Sequence, residues 1–177
     1  QKGPPTLLAS YLDSKGDPVF PYKLFTEAGG LIGLINKPRD LDLTVRRLFA
    51  GVRLPLHDAP LYATEIQATA LHRKIPLDQI RMDSHLSSLM LGQTRVPLQP
   101  PLGTVSIHYR ISPSTMPTVS FWEVMEGRIA PEQIQGKVVL VGSSREITHD
   151  VYATSLGLMP GVLLSANGIV TLLSEQF

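Results

Sequence analysis

Residues 136–173 read GKVVLVGSSREITHDVYATSLGLMPGVLLSANGIVTLL, and the fold turns on how the two ends of this stretch are understood. The first end, Lys137-Val138-Val139-Leu140-Val141, is an unbroken apolar run led by a lysine and closed by Gly142-Ser143-Ser144. Such a run predicts a strand buried on both faces, which needs helices above and below it. At the other end Pro160 and Gly161 break the chain. From there Val162, Ala166, Ile169, Val170, Leu173 and Phe177 recur at helical spacing on one face. The expectation is an interior strand at residues 137–141, a connecting loop, and a helix after Gly161 that folds back to cover it.

A chain of 177 residues suits one domain spanning residues 1–177, long enough to bury roughly two thirds of its unfolded surface. Its hydrophobic fraction of 43% and charged fraction of 18% are ordinary for a globular protein. The 16 basic and 15 acidic residues leave a formal charge of +1, which gives nucleic acid no electrostatic footprint to bind. The absence of cysteine excludes disulfides and thiolate chemistry, and it leaves the compartment open. No run approaches the ~18 apolar residues of a bilayer span, and no signal-peptide pattern opens the chain. Its start, Gln1-Lys2-Gly3-Pro4-Pro5, reads as a cut point rather than a natural beginning.

Ahead of the deciding stretch, residues 6–10 read as a short strand, and residues 13–18 are a turn-rich loop. Residues 21–28 predict a short helix ended by Gly29-Gly30, and residues 31–36 a second buried strand. Residues 45–52 predict a strand that pairs with it as a hairpin. Leu61, Ile66, Ala70 and Leu71 suggest a helix over residues 61–72, stopped by Pro76. Residues 89–92 and 95–98 fit a two-strand meander. Residues 103–110 alternate, with Val105, Ile107 and Tyr109 on one side and Ser106, His108 and Arg110 on the other, so they predict a strand with one polar face. Ser120 with Glu123 three residues on forms a capping-box pattern for a helix that Gly127 ends. The 15 prolines sit mostly in connections, which favours an α/β domain over a bundle.

Gly142, Ser143 and Ser144, at the end of the expected strand, lie where open α/β sheets place their ligand crevices. They equally suit a tight turn whose hydroxyls bond free backbone groups. The stretch is neither a Walker loop nor a G-x-S-x-G elbow. Ser143 or Ser144 with His149 and Asp150 supplies the residue types of a hydrolytic triad, but adjacent His and Asp rarely orient each other usefully. Asp150 is expected to serve the fold, by turning or capping the loop before Tyr152 or by meeting Arg110 or Arg145. The histidines His57, His72, His85, His108 and His149 show no ligand spacing, so neither a metal nor another cofactor is expected. His108 and Arg110 share a strand face and come near the Gly142 turn if the two strands are neighbours.

Arg46-Arg47 is a fork suited to a carboxylate, but consecutive strand residues point to opposite faces. An exposed pair beside Asp40 and Asp42 is the plainer reading. Asn167, an amide among apolar residues, needs a buried partner, and the loop carrying Asp150 is the expected one. The candidate ligand-binding set is therefore His108, Arg110, Gly142, Ser143, Ser144 and Asp150, with no catalytic residue assigned.

The string GKVVLVGSS, then Asp150 followed by Tyr152-Ala153-Thr154, then MPGV and Ala166-Asn167 within a helix, resembles the C-terminal portion of the type-two CHASE domains. A second block, Gly33, Asn36, Asp40, Asp42, Val45, Arg46 and Arg47, stands in the order of the family's strand, acid-rich turn and Val-Arg-Arg strand. It departs in carrying Leu43-Thr44 where the family usually has Asp-Gly. The Tyr109-Arg110 strand end, Ser120-Phe121 helix and Gly127-Arg128 link add a third block, and together the three cover about residues 6 to 173.

The resemblance implies an extracytoplasmic sensor module of a bacterial inner-membrane receptor, non-catalytic itself, whose cyclase or kinase output is a separate domain. It implies as partners a small-molecule or protein stimulus and the receptor's own membrane helices and output domain; an incomplete sheet would leave an exposed edge able to pair with a second copy of the chain. It also implies that the part matched here lacks a first strand and helix. The expected fold is a single α/β domain with a central mixed sheet flanked by helices, its C-terminal helix leading towards a membrane segment. The residues alone leave open a periplasmic serine hydrolase using Ser143 or Ser144, and a protein-interaction module that binds no small molecule.

Overall fold

The computed structural model describes residues 3–55, 59–143 and 150–177. Its strands and helices in chain order are β1 (Leu7–Leu12), β2 (Pro18–Val19), α1 (Lys23–Glu27), β3 (Leu31–Leu34), β4 (Arg47–Phe49), β5 (Gly51–Val52), β6 (Leu61–Tyr62) and α2 (Thr64–His72). There follow β7 (Ile80–Met82), β8 (Ser88–Leu91), β9 (Thr94–Pro97), β10 (Thr104–Ser106), α3 (Phe121–Met125), β11 (Val151–Thr154), β12 (Gly157–Pro160) and α4 (Gly161–Leu173).

The architecture is α/β with mixed pairing. The strands do not form the one central sheet expected, because among the described residues they divide into β2-β1-β3, β10-β4, β11-β12, β5-β6 and β7-β8-β9. β1 runs parallel to β3, from Leu7 opposite Leu31 to Ser10 opposite Leu34. Residues 13–30, which hold α1, supply the crossover that parallel neighbours require. The expected hairpin between residues 31–36 and 45–52 is therefore absent, and β4 pairs with β10 instead. The reason lies between them: residues 35–46 close on themselves, with Asp40 N–H bonded to Thr44 O at 2.9 Å and the Arg46 guanidinium held by Asp40 and Asp42. Short bridges from Leu34 to Ala63 and from Thr44 to Ala153 stitch the small sheets together.

The centre of the core is α4, whose Leu164, Asn167 and Thr171 are wholly buried. Of the stripe read from sequence, only Ala166 and Ile169 are buried, while Val162, Val170 and Leu173 are half-covered. Counting apolar residues alone missed the deeper face because Asn167, Gly168 and Thr171 interrupt it. Each fully buried leucine here contributes about 1.5–3 kcal/mol. α2 packs against α4, and Gly168 sets the approach: a Cβ there would lie 2.8 Å from Cδ2 of Leu48 and 3.0 Å from Cγ of Glu65. At that crossing Lys37 Nζ, 3% exposed, lies 2.8 Å from Oε1 of Glu65, 0% exposed. The contact is ionic without hydrogen-bond geometry, since both Glu65 oxygens lack a donor among the described residues and Lys37 Nζ donates to Ile35 O at 2.9 Å.

The largest correction concerns residues 137–141, which are not an interior strand. Val139 is 53% exposed and Val141 81% exposed. Val138 and Leu140 are half-buried, and Gly142 backs onto α4, where a Cβ would stand 2.9 Å from Cβ of Val162. The run thus presents one apolar side inward and the other to solvent. Among the described residues the backbone of 138–142 has no hydrogen-bond partner. An unbroken apolar run reports a demand for burial, not the strands that meet it.

Other elements match expectation. The capping box is present: Ser120 Oγ accepts from Trp122 N at 3.3 Å, and Glu123 accepts from Ser120 N at 3.0 Å. Residues 80–97 form a three-stranded meander, one strand more than expected. Along β10 and the residues after it, Val105 and Ile107 are buried while His108 and Arg110 are exposed, as the alternation predicts. Among the described residues no helix is long and apolar enough to cross a membrane.

Candidate functional site

The candidate residues lie along α4, and the helix divides them. At its C-terminal half Asn167 and Thr171, one turn apart, reach the backbone of residues 108–111. Thr171 Oγ1 accepts from His108 N at 2.9 Å, and Asn167 Oδ1 accepts from Arg110 N at 2.9 Å and Ile111 N at 3.0 Å. The match is geometric: alternate residues of an extended chain repeat every ~6.6 Å, close to the ~5.4 Å helical turn. Asn167 Nδ2 completes the set by donating to Ile111 O at 3.0 Å and Leu163 O at 3.1 Å. Asn167 therefore has the buried partner that its position demanded, but it is this segment and not the Asp150 loop.

The side chains of His108 and Arg110 point out to solvent, and Arg110 donates to Gln176 Oε1. Between them Tyr109 donates to Val45 O at 2.8 Å, and burial pushes its hydroxyl up to about 12.

At the N-terminal end of α4 stand Gly142 and Asp150. The Asp150 carboxylate presses on the first turn: a Cβ at Gly161 would meet its oxygens at 2.5 and 2.6 Å, and Asp150 O accepts from Gly161 N at 2.9 Å. A carboxylate there offsets the positive end of the helix dipole, so Asp150 serves the fold as expected, through α4 rather than Arg110. Tyr152 follows on β11, and its hydroxyl is raised first by burial and then by the Asp150 charge, with Arg39 opposing. The Arg39 guanidinium sits 5.3 Å from the centre of the Tyr152 ring, a cation–π contact.

The described members of the predicted set do not form one cluster. Along the helix axis Thr171, which holds His108 N, stands roughly 15 Å from Gly161 beside Asp150, while Asn167, which holds Arg110 N, stands roughly 9 Å from it, so His108 lies farthest from Gly142 and Asp150 and the Arg110 side chain points away to solvent. Ser143 is described and exposed, whereas Ser144 lies outside the described residues, as do His149 and Arg145.

The Arg46-Arg47 pair takes the plainer reading. Arg46 grips Asp42 with both terminal nitrogens at 2.9 and 2.7 Å and reaches Asp40 at 2.9 Å, and Arg47 also bonds Asp40. Both arginines reach one carboxylate because Asp40 lies on the folded-back loop and not on the strand. Arg46 and then Arg47 hold the Asp40 carboxyl below the usual range.

Sequence reasoning missed the neighbours that organise these groups: Thr171, Arg39 and Arg73. It also missed an open apolar cleft of about 460 Å³ lined by Phe20, Ile32, Leu54, Pro60 and Leu61. A Thr-to-Asn spacing of one turn in the last helix was the one available signal. Among the described residues no group of three His, Asp or Glu side chains is placed to hold a metal ion.

The class that the fold defines is a small α/β domain whose C-terminal helix is buried and pinned by polar side chains. The family model described as CHASE2 domain matches residues 5–177, and the chain belongs to that family. CHASE2 domains are extracellular sensory domains, as the resemblance implied. Nothing among the curated proteins or the solved structures matches the chain.

Proposed function

We propose that the chain is the extracytoplasmic signal-input domain of a bacterial transmembrane receptor, whose cyclase or kinase output lies in a separate domain. The observation that carries this reading is the CHASE2 match over residues 5–177. The position of α4 supports the route of the signal. It is buried against α2, and its polar face is tied to residues 108–111. A stimulus favouring one of two arrangements of the domain would bias α4, which would pass that bias to a following membrane helix. Because residues 137–141 are not an interior strand, the relay rests on α4 alone.

Of the candidate residues His108, Arg110, Gly142, Ser143, Ser144 and Asp150, the group around Asp150 is the better seat for a stimulus. Asp150, Tyr152 and Arg39 there combine a carboxylate, an aromatic ring and a guanidinium beside the first turn of α4. A small molecule or a protein segment is the stimulus, and the receptor's own membrane helices and output domain are the other partners. A second copy of the chain is proposed as a further partner, through the exposed Val139 and Val141.

The test is a thermal-stability screen of the domain against small metabolites. A ligand at about 100 times its dissociation constant adds ~2.7 kcal/mol and raises the melting temperature visibly. The reading predicts a hit whose effect is weakened in Arg39→Ala. Absence of any hit, with covalent labelling of Ser143 or Ser144 by a serine-directed probe, would favour the hydrolase instead.

A further inference from the structure

Two helices of the domain end in the same way, and the difference between the two endings is informative. α2 stops with Lys74 at φ +57°, and Lys74 N bonds Leu71 O at 3.1 Å while Ile75 N bonds Ala70 O at 2.8 Å. α4 stops with Glu175 at φ +54°, and Glu175 N bonds Leu172 O at 3.4 Å while Gln176 N bonds Thr171 O at 3.3 Å. Both are Schellman caps, and both place a side-chain-bearing residue in the left-handed conformation that favours glycine.

The α2 cap is held by apolar packing. Ile75 inserts against the core and Gly92, and Pro76 forbids a further helical turn. The α4 cap has neither device, since Gln176 is polar where Ile75 is apolar and residues 174–177 hold no glycine or proline. Polar side chains from elsewhere replace them. Arg73 Nη1 bonds Glu175 Oε1 at 2.8 Å, and Arg73 Nη2 bonds Leu173 O at 2.8 Å and Leu172 O at 3.3 Å. Thr94 Oγ1 donates to Glu175 Oε1 at 3.2 Å, and Arg110 holds Gln176. Half-buried Phe177 adds an apolar hold.

We propose that the end of α4 is a polar latch: Arg73 and Thr94 hold Glu175 in the left-handed conformation, and their release lets residues 174–177 continue α4 as a further helical turn. Glutamate and glutamine are good helix formers, and serine and phenylalanine, though weaker, do not break a helix, so what chiefly opposes the extra turn is the set of side-chain bonds together with the packing of Phe177. The latch joins α2, β9 and the segment carrying Arg110 to the point where α4 ends. Its use as an output element rests on the sensory reading above, whereas the latch is a property of residues 1–177 alone.

The test compares two substitutions that both delete the carboxylate. Backbone carbon shifts and amide couplings of residues 174–177 are measured by NMR in the 177-residue chain, its Glu175→Ala variant and its Glu175→Gly variant. Glu175 is on the surface, so both variants fold. The latch predicts left-handed values at position 175 in the parent and in Glu175→Gly, and helical values over residues 174–176 in Glu175→Ala and in Arg73→Gln. Left-handed values retained in Glu175→Ala, or random-coil values there without helix, overturn it. Because no receptor output is read, this result stands apart from the fate of the sensory reading.

Discussion

The side-chain amide of Asn167 exchanges two hydrogen bonds with the backbone of Ile111, accepting from its N–H and donating to its C=O, each at 3.0 Å. The helix thus offers the extended segment what a neighbouring strand would offer. Replacing Asn167 by Leu keeps the branched four-atom side-chain skeleton, in a bulkier apolar form, and strands the part-buried N–H groups of Arg110 and Ile111. Each unsatisfied group costs about 1–3 kcal/mol, so Asn167→Leu is expected to destabilise the domain by about 2–4 kcal/mol, with Thr171→Val costing about 1 kcal/mol. Urea unfolding checks this: the midpoint falls and the slope stays unchanged.

Lys37 and Glu65 form a buried pair, and breaking such a pair leaves an uncompensated charge. Lys37→Met alone is expected to cost about 3–5 kcal/mol. Lys37→Met with Glu65→Leu should recover most of that loss, because two apolar side chains then replace two desolvated charges. A double-mutant cycle on unfolding free energies measures the coupling, and additive losses would show that the two residues do not interact.

Whether residues 137–141 are an interior strand can be read from one substitution. Val141→Lys places a charge where the side chain is already 81% exposed, so the cost should stay within about 0.5 kcal/mol. A buried strand would instead lose several kcal/mol. Thermal melts of the two proteins distinguish these outcomes.

Acid should weaken the turn between β7 and β8. Asp83 accepts from Ser88 Oγ at 2.7 Å, Ser87 Oγ at 2.9 Å and His85 N at 2.8 Å, and the Ser88 hydroxyl is the first cause of its lowered pKa. A carboxyl depressed in the folded state contributes stability above its unfolded pKa, ~3.9, and loses it as pH falls below that value. Asp83→Asn should therefore flatten the decline in stability below about pH 4. The opposite limb belongs to Tyr109, raised to about 12: its contribution is present below pH ~10 and fades as pH rises towards the folded value. Urea midpoints measured across both ranges, in the parent and in Asp83→Asn and Tyr109→Phe, check the two signs.

What the sequence made legible was local. The alternation of residues 103–110, the Ser120–Glu123 box and the helix after Pro160 each depend on residues a few positions apart, and each appears in the structure. Pairings across longer distances were not legible. Nothing in residues 31–36 tells a strand to seek β1 in parallel rather than β4 as a hairpin, because the choice is made by the Asp40, Asp42 and Arg46 knot in between. The same limit governs the site. His108 and Gly142 looked close only if their strands adjoined, and α4, lying across both segments, keeps them apart. Asn167 announced that it had a partner but not which one, since its partner lies 56 positions away.

The measurement that bears most directly on the sensory reading is the signalling output of the whole protein when the last turn of α4 is softened by Leu173→Gly with Ser174→Gly. Both sites lie at the outer edge of the helix, so the core residues Leu164 and Leu172 stay in place and the domain remains folded. The account predicts that output loses its response to the stimulus while the proposed output domain keeps its basal rate. An output that responds as before, from a protein carrying both glycines, would contradict it.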